Sequence, residues 1–217
     1  MPIFNTVKFF ITIKMGVVER KERQKDEVRT AILQAAWEIA SKEGWKAVSL
    51  RRIADIIEYS APLIYSYFES KEAILLEFVK KGYVKKYEAL KKAKEQHTDP
   101  ALQLKAMAFA GWRFAIEHNV LYQLMYSIKV APCKAQWNCC EVLDVRKSMG
   151  EVVLSTIKEL VARSAHPETD PEMKYLAFSS ILHGLISFYL TQADHQAPEK
   201  YQMILDDSIS GIIRTLD

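Results

Sequence analysis

The sequence predicts an all-α protein: an N-terminal three-helix domain built around a helix-turn-helix, followed by a larger helical bundle. Three observations predict it. Only seven Gly and seven Pro interrupt 217 residues, which favours long helices. Apolar residues recur at helical spacing, as in Leu50, Ile53, Ala54 and Ile57. Helix-start signals recur too, at Ser49, Ser60, Ser70, Asp99-Pro100 and Asp170-Pro171. The composition, 49% hydrophobic and 26% charged, is that of a soluble globular protein. No run of 18 apolar residues offers a transmembrane span. The expected organisation is a disordered tail over 1–24, a helix-turn-helix domain over 25–85 and a bundle over 86–217.

The tail opens with MPIFNTVKFFITIK, in which Lys8 and Lys14 interrupt the apolar run and no small-residue cleavage site follows. It does not read as a signal peptide. Met15 leads into GVVERKERQKDEVR, the look of an ordinary cytosolic start, so residues 1–14 are expected to be dispensable or untranslated. Arg20, Lys21, Arg23 and Lys25 form a basic arm that either reaches a DNA backbone or is simply disordered. The helix RTAILQAAWEIASKEGWKAVSL follows. Ser49 then caps a short helix whose buried face is Leu50, Ile53, Ala54 and Ile57, with Arg51, Arg52 and Asp55 on the other side. Ser60 offers a second cap, and Pro62 sits in the first turn of the next helix, where a missing N–H does no harm. Only four residues separate Ile57 from Pro62, so the two helices cross steeply. In such a pair the second helix enters the major groove and its first residues meet base edges. Leu63, Ile64 and Phe68 anchor that helix, leaving Ala61, Pro62, Tyr65 and Tyr67 for DNA.

From RTAILQAAWEIASKEGWKAVSL through IYSYFESKEAIL the chain resembles the N-terminal domain of the TetR family of bacterial transcriptional regulators. The run Tyr65-x-Tyr67-Phe68, then x-x-Lys71, is the specific part. The resemblance implies that Ser49, Ser60, Tyr67 and Lys71 hold phosphates, while Ala61, Pro62 and Tyr65 face bases and sugar edges. Arg51 joins them as a candidate contact. Two departures stand out. The family usually has a small residue and then Gly in the turn, where this chain has Ile57 and Glu58. A non-Gly residue in a left-handed conformation costs roughly 1–2 kcal/mol, so a differently shaped turn is expected. Ala40 stands where an aromatic is common, with Trp37 and Trp45 nearby to fill the volume.

Beyond Ser70 an apolar face of Ile74, Leu75, Phe78 and Val79 begins a helix running past Gly82 to about Glu95. Lys80, Lys81, Lys85, Lys86, Lys91, Lys92 and Lys94 along it read either as a phosphate-tracking surface or as one solvated face. Residues 1–96 carry 19 Lys+Arg against 13 Asp+Glu, and 97–217 carry 11 against 14, a polarity that fits a two-part regulator. The stretch FAGWRFAIEHNVLYQLMYSI also looks like TetR proteins with a His-Gly pair in the penultimate helix, here His183-Gly184. Its aromatics either fill space between helices or line an apolar cavity with a few polar tips. The candidate ligand contacts are Phe109, Trp112, Arg113, Tyr122, Tyr126 and His183. In the last two helices Leu185, Ile186, Phe188, Leu205, Ile212 and Leu216 exceed the needs of one bundle face, so part is expected to be buried in a homodimer.

Cys133, Cys139 and Cys140 are an odd number with no structural-zinc spacing, which fits a reducing cytosol. No Gly-rich phosphate loop, G-x-S-x-G elbow or H-E-x-x-H pair suggests an enzyme, and no cofactor or metal site is called for. The sequence therefore reads as a cytoplasmic, homodimeric regulator with double-stranded, palindromic operator DNA and a small apolar or aromatic effector as partners. A repressor is preferred over an activator. Two rivals remain: a helical interaction protein whose altered turn has lost DNA, and a thiol or metal sensor on the same scaffold.

Overall fold

Ser49 and Glu58 set the first feature of the fold, a short helix closed at both ends. The Ser49 hydroxyl oxygen accepts from the Arg52 amide at 3.3 Å, which starts helix α2, Leu50–Ile57. Glu58 ends it with φ 57° and ψ 37°, in the left-handed region, where its amide donates to the Ala54 carbonyl. The turn therefore keeps the shape that a glycine normally supplies. The expected change of shape does not occur, because the amides of Glu58 and Tyr59 both close onto Ala54.

The computed structural model describes the backbone of residues 4–127, 140–192 and 198–216, and side chains from Gly16 onward except 128–143 and 193–197. Among the described residues every regular element is helical. Helix α1 spans Phe4–Glu43, so residues 4–24 continue the first helix where a disordered tail was expected. No proline interrupts this stretch, and residues 17–27 are all exposed, so that part is helical without packing of its own. Cys133 and Cys139 lie outside the described residues, as does the side chain of Cys140.

The chain forms two compact units, Met1–Ile74 and Leu75–Asp217. In the first, α1 buries Val28, Ile32, Ala35, Ala36, Ile39 and Ala40 and packs on α2, while α2 packs on α3 (Ala61–Tyr67); Ile53 of α2 and Ile64 of α3 are fully buried. Gly44, at φ 81°, closes α1 and leads through a 3-10 turn, Trp45–Ala47, into α2. Trp37 and Trp45 meet edge-on at 5.8 Å. Helix α4, Lys71–Lys94, is capped by Ser70, whose oxygen accepts from the Ala73 amide.

The second unit contains α5 (Pro100–Glu117), α6 (Asn119–Met125), α7 (Cys140–Arg163), α8 (Pro171–Thr191) and α9 (Pro198–Arg214). Asp99 and Asp170 cap α5 and α8, each with proline in the first turn. Helices α5, α7, α8 and α9 pack on one another around Leu104, Met107, Ile157, Ile186, Leu205 and Ile209, all fully buried. Gly111 allows α5 and α8 to approach closely, since a Cβ there would lie 2.9 Å from Leu182 Cδ2. The units part at Ile74–Leu75 rather than at the expected 85/86, because α4 buries Leu75, Phe78, Val79, Tyr83 and Leu90 beyond that point.

Candidate nucleic-acid interface and internal cavity

The outward face of the first unit gathers most of the predicted DNA contacts. Ile64 is buried and Leu63 half-buried, so α3 rests on the core along one side. Tyr65 is 55% exposed on the other. Pro62 is exposed and Ala61 half-buried in the first turn. Ser60 occupies the N-cap position, but its hydroxyl makes no capping bond and stays available to a phosphate oxygen. Tyr67 is half-buried next to Phe68, which is buried with the Arg29 guanidinium 5.1 Å from its ring centre.

Three further side chains are tied down. The oxygen of Ser49 is engaged in the α2 cap. Lys71 Nζ donates to the Lys46 carbonyl at 3.1 Å, and partial burial lowers its pKa. Arg52 holds Glu43 through both guanidinium nitrogens, at 2.9 and 2.5 Å, and also reaches the Ala47 carbonyl. This bidentate pair fixes α2 against the end of α1 and lowers the Glu43 pKa. Arg51, its neighbour, points away from the core and is exposed.

In the second unit, a cavity of about 600 Å³ is bounded by α4, α6, α7 and α8. Tyr122, Tyr126 and His183 line it; Phe109, Trp112 and Arg113 do not. Trp112 is buried elsewhere, stacked on Tyr201 at 5.9 Å and tilted against Tyr189 at 5.3 Å. Phe109 and Arg113 face a separate pocket with Lys85, Lys92 and His118. The sequence-predicted ligand set is thus split across three places.

Lys86 is the residue sequence reasoning missed. It is 6% exposed, and its Nζ donates to the Tyr126 hydroxyl at 2.8 Å. The ammonium lies 5.6 Å from the Tyr122 ring centre and 5.2 Å from that of Tyr126. Burial pulls its pKa down to about 8. The same burial pushes Tyr126 up to about 12 and Tyr122 higher still, so both remain neutral phenols. Tyr122 shares a 2.7 Å hydrogen bond with His183 Nδ1. Desolvation and then the Lys86 charge lower the His183 pKa, which favours neutral imidazole at pH 7.

Two family models match this chain. "Bacterial regulatory proteins, tetR family" covers residues 32–78, and "Tetracyclin repressor-like, C-terminal domain" covers 104–210. Together they span well over half of it. The chain belongs to the TetR family. A repressor of that kind, the HTH-type transcriptional repressor NicS of Pseudomonas putida, is 29% identical over 107 residues. That alignment takes in 49% of this chain and 49% of NicS, so the chain matches about half the length of this curated relative. Among solved structures, a protein of unknown function from Rhodococcus has a TM-score of 0.71 at 23% identity, over 87% of this chain and 94% of its own. The TetR regulator PfmR from Thermus thermophilus has a TM-score of 0.65 at 22% identity, over 86% and 98%. Both share the TetR fold.

Within this TetR chain the signal for Lys86 was present. Val79, Tyr83, Lys86, Leu90 and Ala93 follow one helical stripe, and all are buried. A lysine at the centre of an otherwise apolar stripe is distinct from the exposed lysines at 81, 85, 91 and 92.

Proposed function

We propose that this protein is a homodimeric TetR-type repressor that binds a palindromic operator in the cytoplasm. A small, largely apolar or aromatic effector in the α4–α6–α7–α8 cavity releases it. The observation that carries the reading is α3, a short helix held by buried Ile64 that turns Ser60, Pro62 and Tyr65 to the surface. Arg51, Ala61, Tyr67 and Lys71 border the same surface and are proposed contacts. Ser49 acts through the α2 cap, with only its remaining lone pair and proton left for phosphate. The effector reading is supported by a cleft of about 600 Å³ that combines apolar side chains such as Leu90, Val153 and Phe178 with polar groups such as Tyr122, Tyr126 and His183, the usual make-up of a small-molecule site. A ligand that prefers one arrangement of the recognition helices shifts the population toward it. No helix among the described residues is long and apolar enough to cross a membrane.

Binding to the chain's own promoter region, followed across a salt series, tests the proposal. Lys71→Ala and Tyr67→Phe are expected to weaken all sequences about equally, with the lysine change lowering the salt slope by about one per half-site. Tyr65→Ala is expected to relax sequence preference as well. Unchanged operator affinity in all three variants would sink the DNA-binding assignment and favour a protein-docking module instead.

A further inference from the structure

The cavity has a chemical polarity that an apolar effector does not explain. Leu90, Val153, Leu154, Phe178 and Leu182 supply its apolar side. On the same lining, Tyr122 and Tyr126 lie 4.6 Å apart by ring centres, and Tyr126 and His183 another 4.6 Å, which makes a continuous wall of rings. Lys86 lines the same space, nearly removed from solvent, with a phenol hydroxyl and two ring faces around it. No carboxylate pairs with it among the described residues. Arg146 and Lys147 lie on the lining too, with Glu151 as the one acidic residue there, and the Arg146 charge is felt at Tyr126. A buried ammonium without a counter-ion is costly to maintain. Its cost falls when an anion reaches the buried ammonium, since a charge-assisted hydrogen bond strengthens as the group is desolvated.

We propose that the cavity selects small aromatic carboxylates, with the carboxylate on Lys86 Nζ and the Tyr126 hydroxyl, and the aromatic body along the Tyr122–Tyr126–His183 wall. This rests on the reading above that the cavity is the effector site, and it names the chemistry of the effector. Arg146 stands at the cavity lining as the second cation. Tyr126 can donate its own proton to the carboxylate while Lys86 approaches the other oxygen, so the existing Lys86–Tyr126 contact opens into a two-point clamp.

The test pairs two probes of matched shape, 2-naphthoate and neutral 2-naphthamide, by calorimetry on the full-length protein and by retention of operator DNA. Naphthoate is expected to bind about ten- to a hundred-fold more tightly than naphthamide. Lys86→Met, similar in size and free of charge, is expected to bring that ratio close to one. Tyr126→Phe keeps the ring and is expected to lower the ratio part of the way. Equal binding of the two probes, or a ratio unaffected by Lys86→Met, overturns the carboxylate preference and leaves the effector-site reading standing. Lys86-dependent naphthoate binding with no loss of operator affinity supports the carboxylate site and removes its regulatory role. Failure of both probes to bind overturns the proposal and the reading together.

Discussion

Glu58 carries a conformation that its side chain opposes. Among the described residues it is the one non-glycine with a positive φ, at 57°, and nothing about the turn requires a side chain there. The left-handed region costs an L-residue about 1–2 kcal/mol, while a glycine gives back part of that in unfolded-chain entropy. Glu58→Gly is therefore expected to stabilise the protein by about 0.5–1 kcal/mol, read from the urea midpoint. Glu58→Ala removes the charge but keeps the Cβ, and is expected to gain nothing comparable; equal gains from both would assign the effect to charge instead. Sequence reasoning recognised the strain at Glu58 and drew the wrong consequence from it. Local propensity argued for a new turn shape, whereas the hydrogen bonds onto Ala54 and the packing of Ile53 and Ile64 hold the usual one. Lys86 was hidden differently: in a run of seven lysines, composition suggests solvent, and only position along the stripe separates the buried one.

Helices α8 and α9 were legible as elements, from Asp170-Pro171 and Pro198, but not in which side each turns inward. Leu205, Ile212 and Leu216, expected at a dimer interface, are buried within the protomer, as is Ile186. Of the expected set Phe188 is exposed, and the apolar excess continues over Met173 and Leu176 of α8 and Met203 of α9, each of the four at least 65% exposed. Nearly all-round apolarity leaves helical phase ambiguous, and only the packing of α5 and α7 resolves it. The dimer proposal is accordingly tested on the outer face. Phe188→Asp is expected to give a folded monomer, since burying a phenylalanine contributes about 2 kcal/mol and a two-fold interface counts it twice. That amounts to roughly a thousand-fold weaker dimerisation. Gly184→Leu offers a second variant, because no atom lies within 4 Å of a Cβ there in the protomer. Leu205→Asp, by contrast, is expected to unfold the chain. Sedimentation with circular dichroism separates these outcomes, and a Phe188→Asp protein that remains dimeric would move the interface elsewhere.

At the scale of the whole molecule, the buried ammonium gives stability a distinctive dependence on pH. Lys86, with a folded pKa of about 8 against an ordinary 10.5, binds its proton less readily when folded, so stability rises as pH climbs from 8 toward 10.5. Tyr83 and Tyr126, both pushed up to about 12, act oppositely: their stabilising effect is lost above pH 10, as the unfolded phenols ionise first. His183, lowered by desolvation and then by the Lys86 charge, titrates below this window. Urea unfolding is expected to show wild type gaining about 2–3 kcal/mol relative to Lys86→Met between pH 7 and 10, and Lys86→Met is itself the more stable protein at pH 7. Parallel pH curves for the two proteins would show that Lys86 is better solvated than its surroundings imply. A final consequence belongs to the gene that encodes the molecule. One nucleotide separates either glutamate codon from a glycine codon, so the strained turn at Glu58 is a single base change from relief. The same change removes an exposed carboxylate two residues before Ser60, a proposed phosphate contact. Laboratory selection for repression at raised temperature is expected to recover that substitution early and repeatedly.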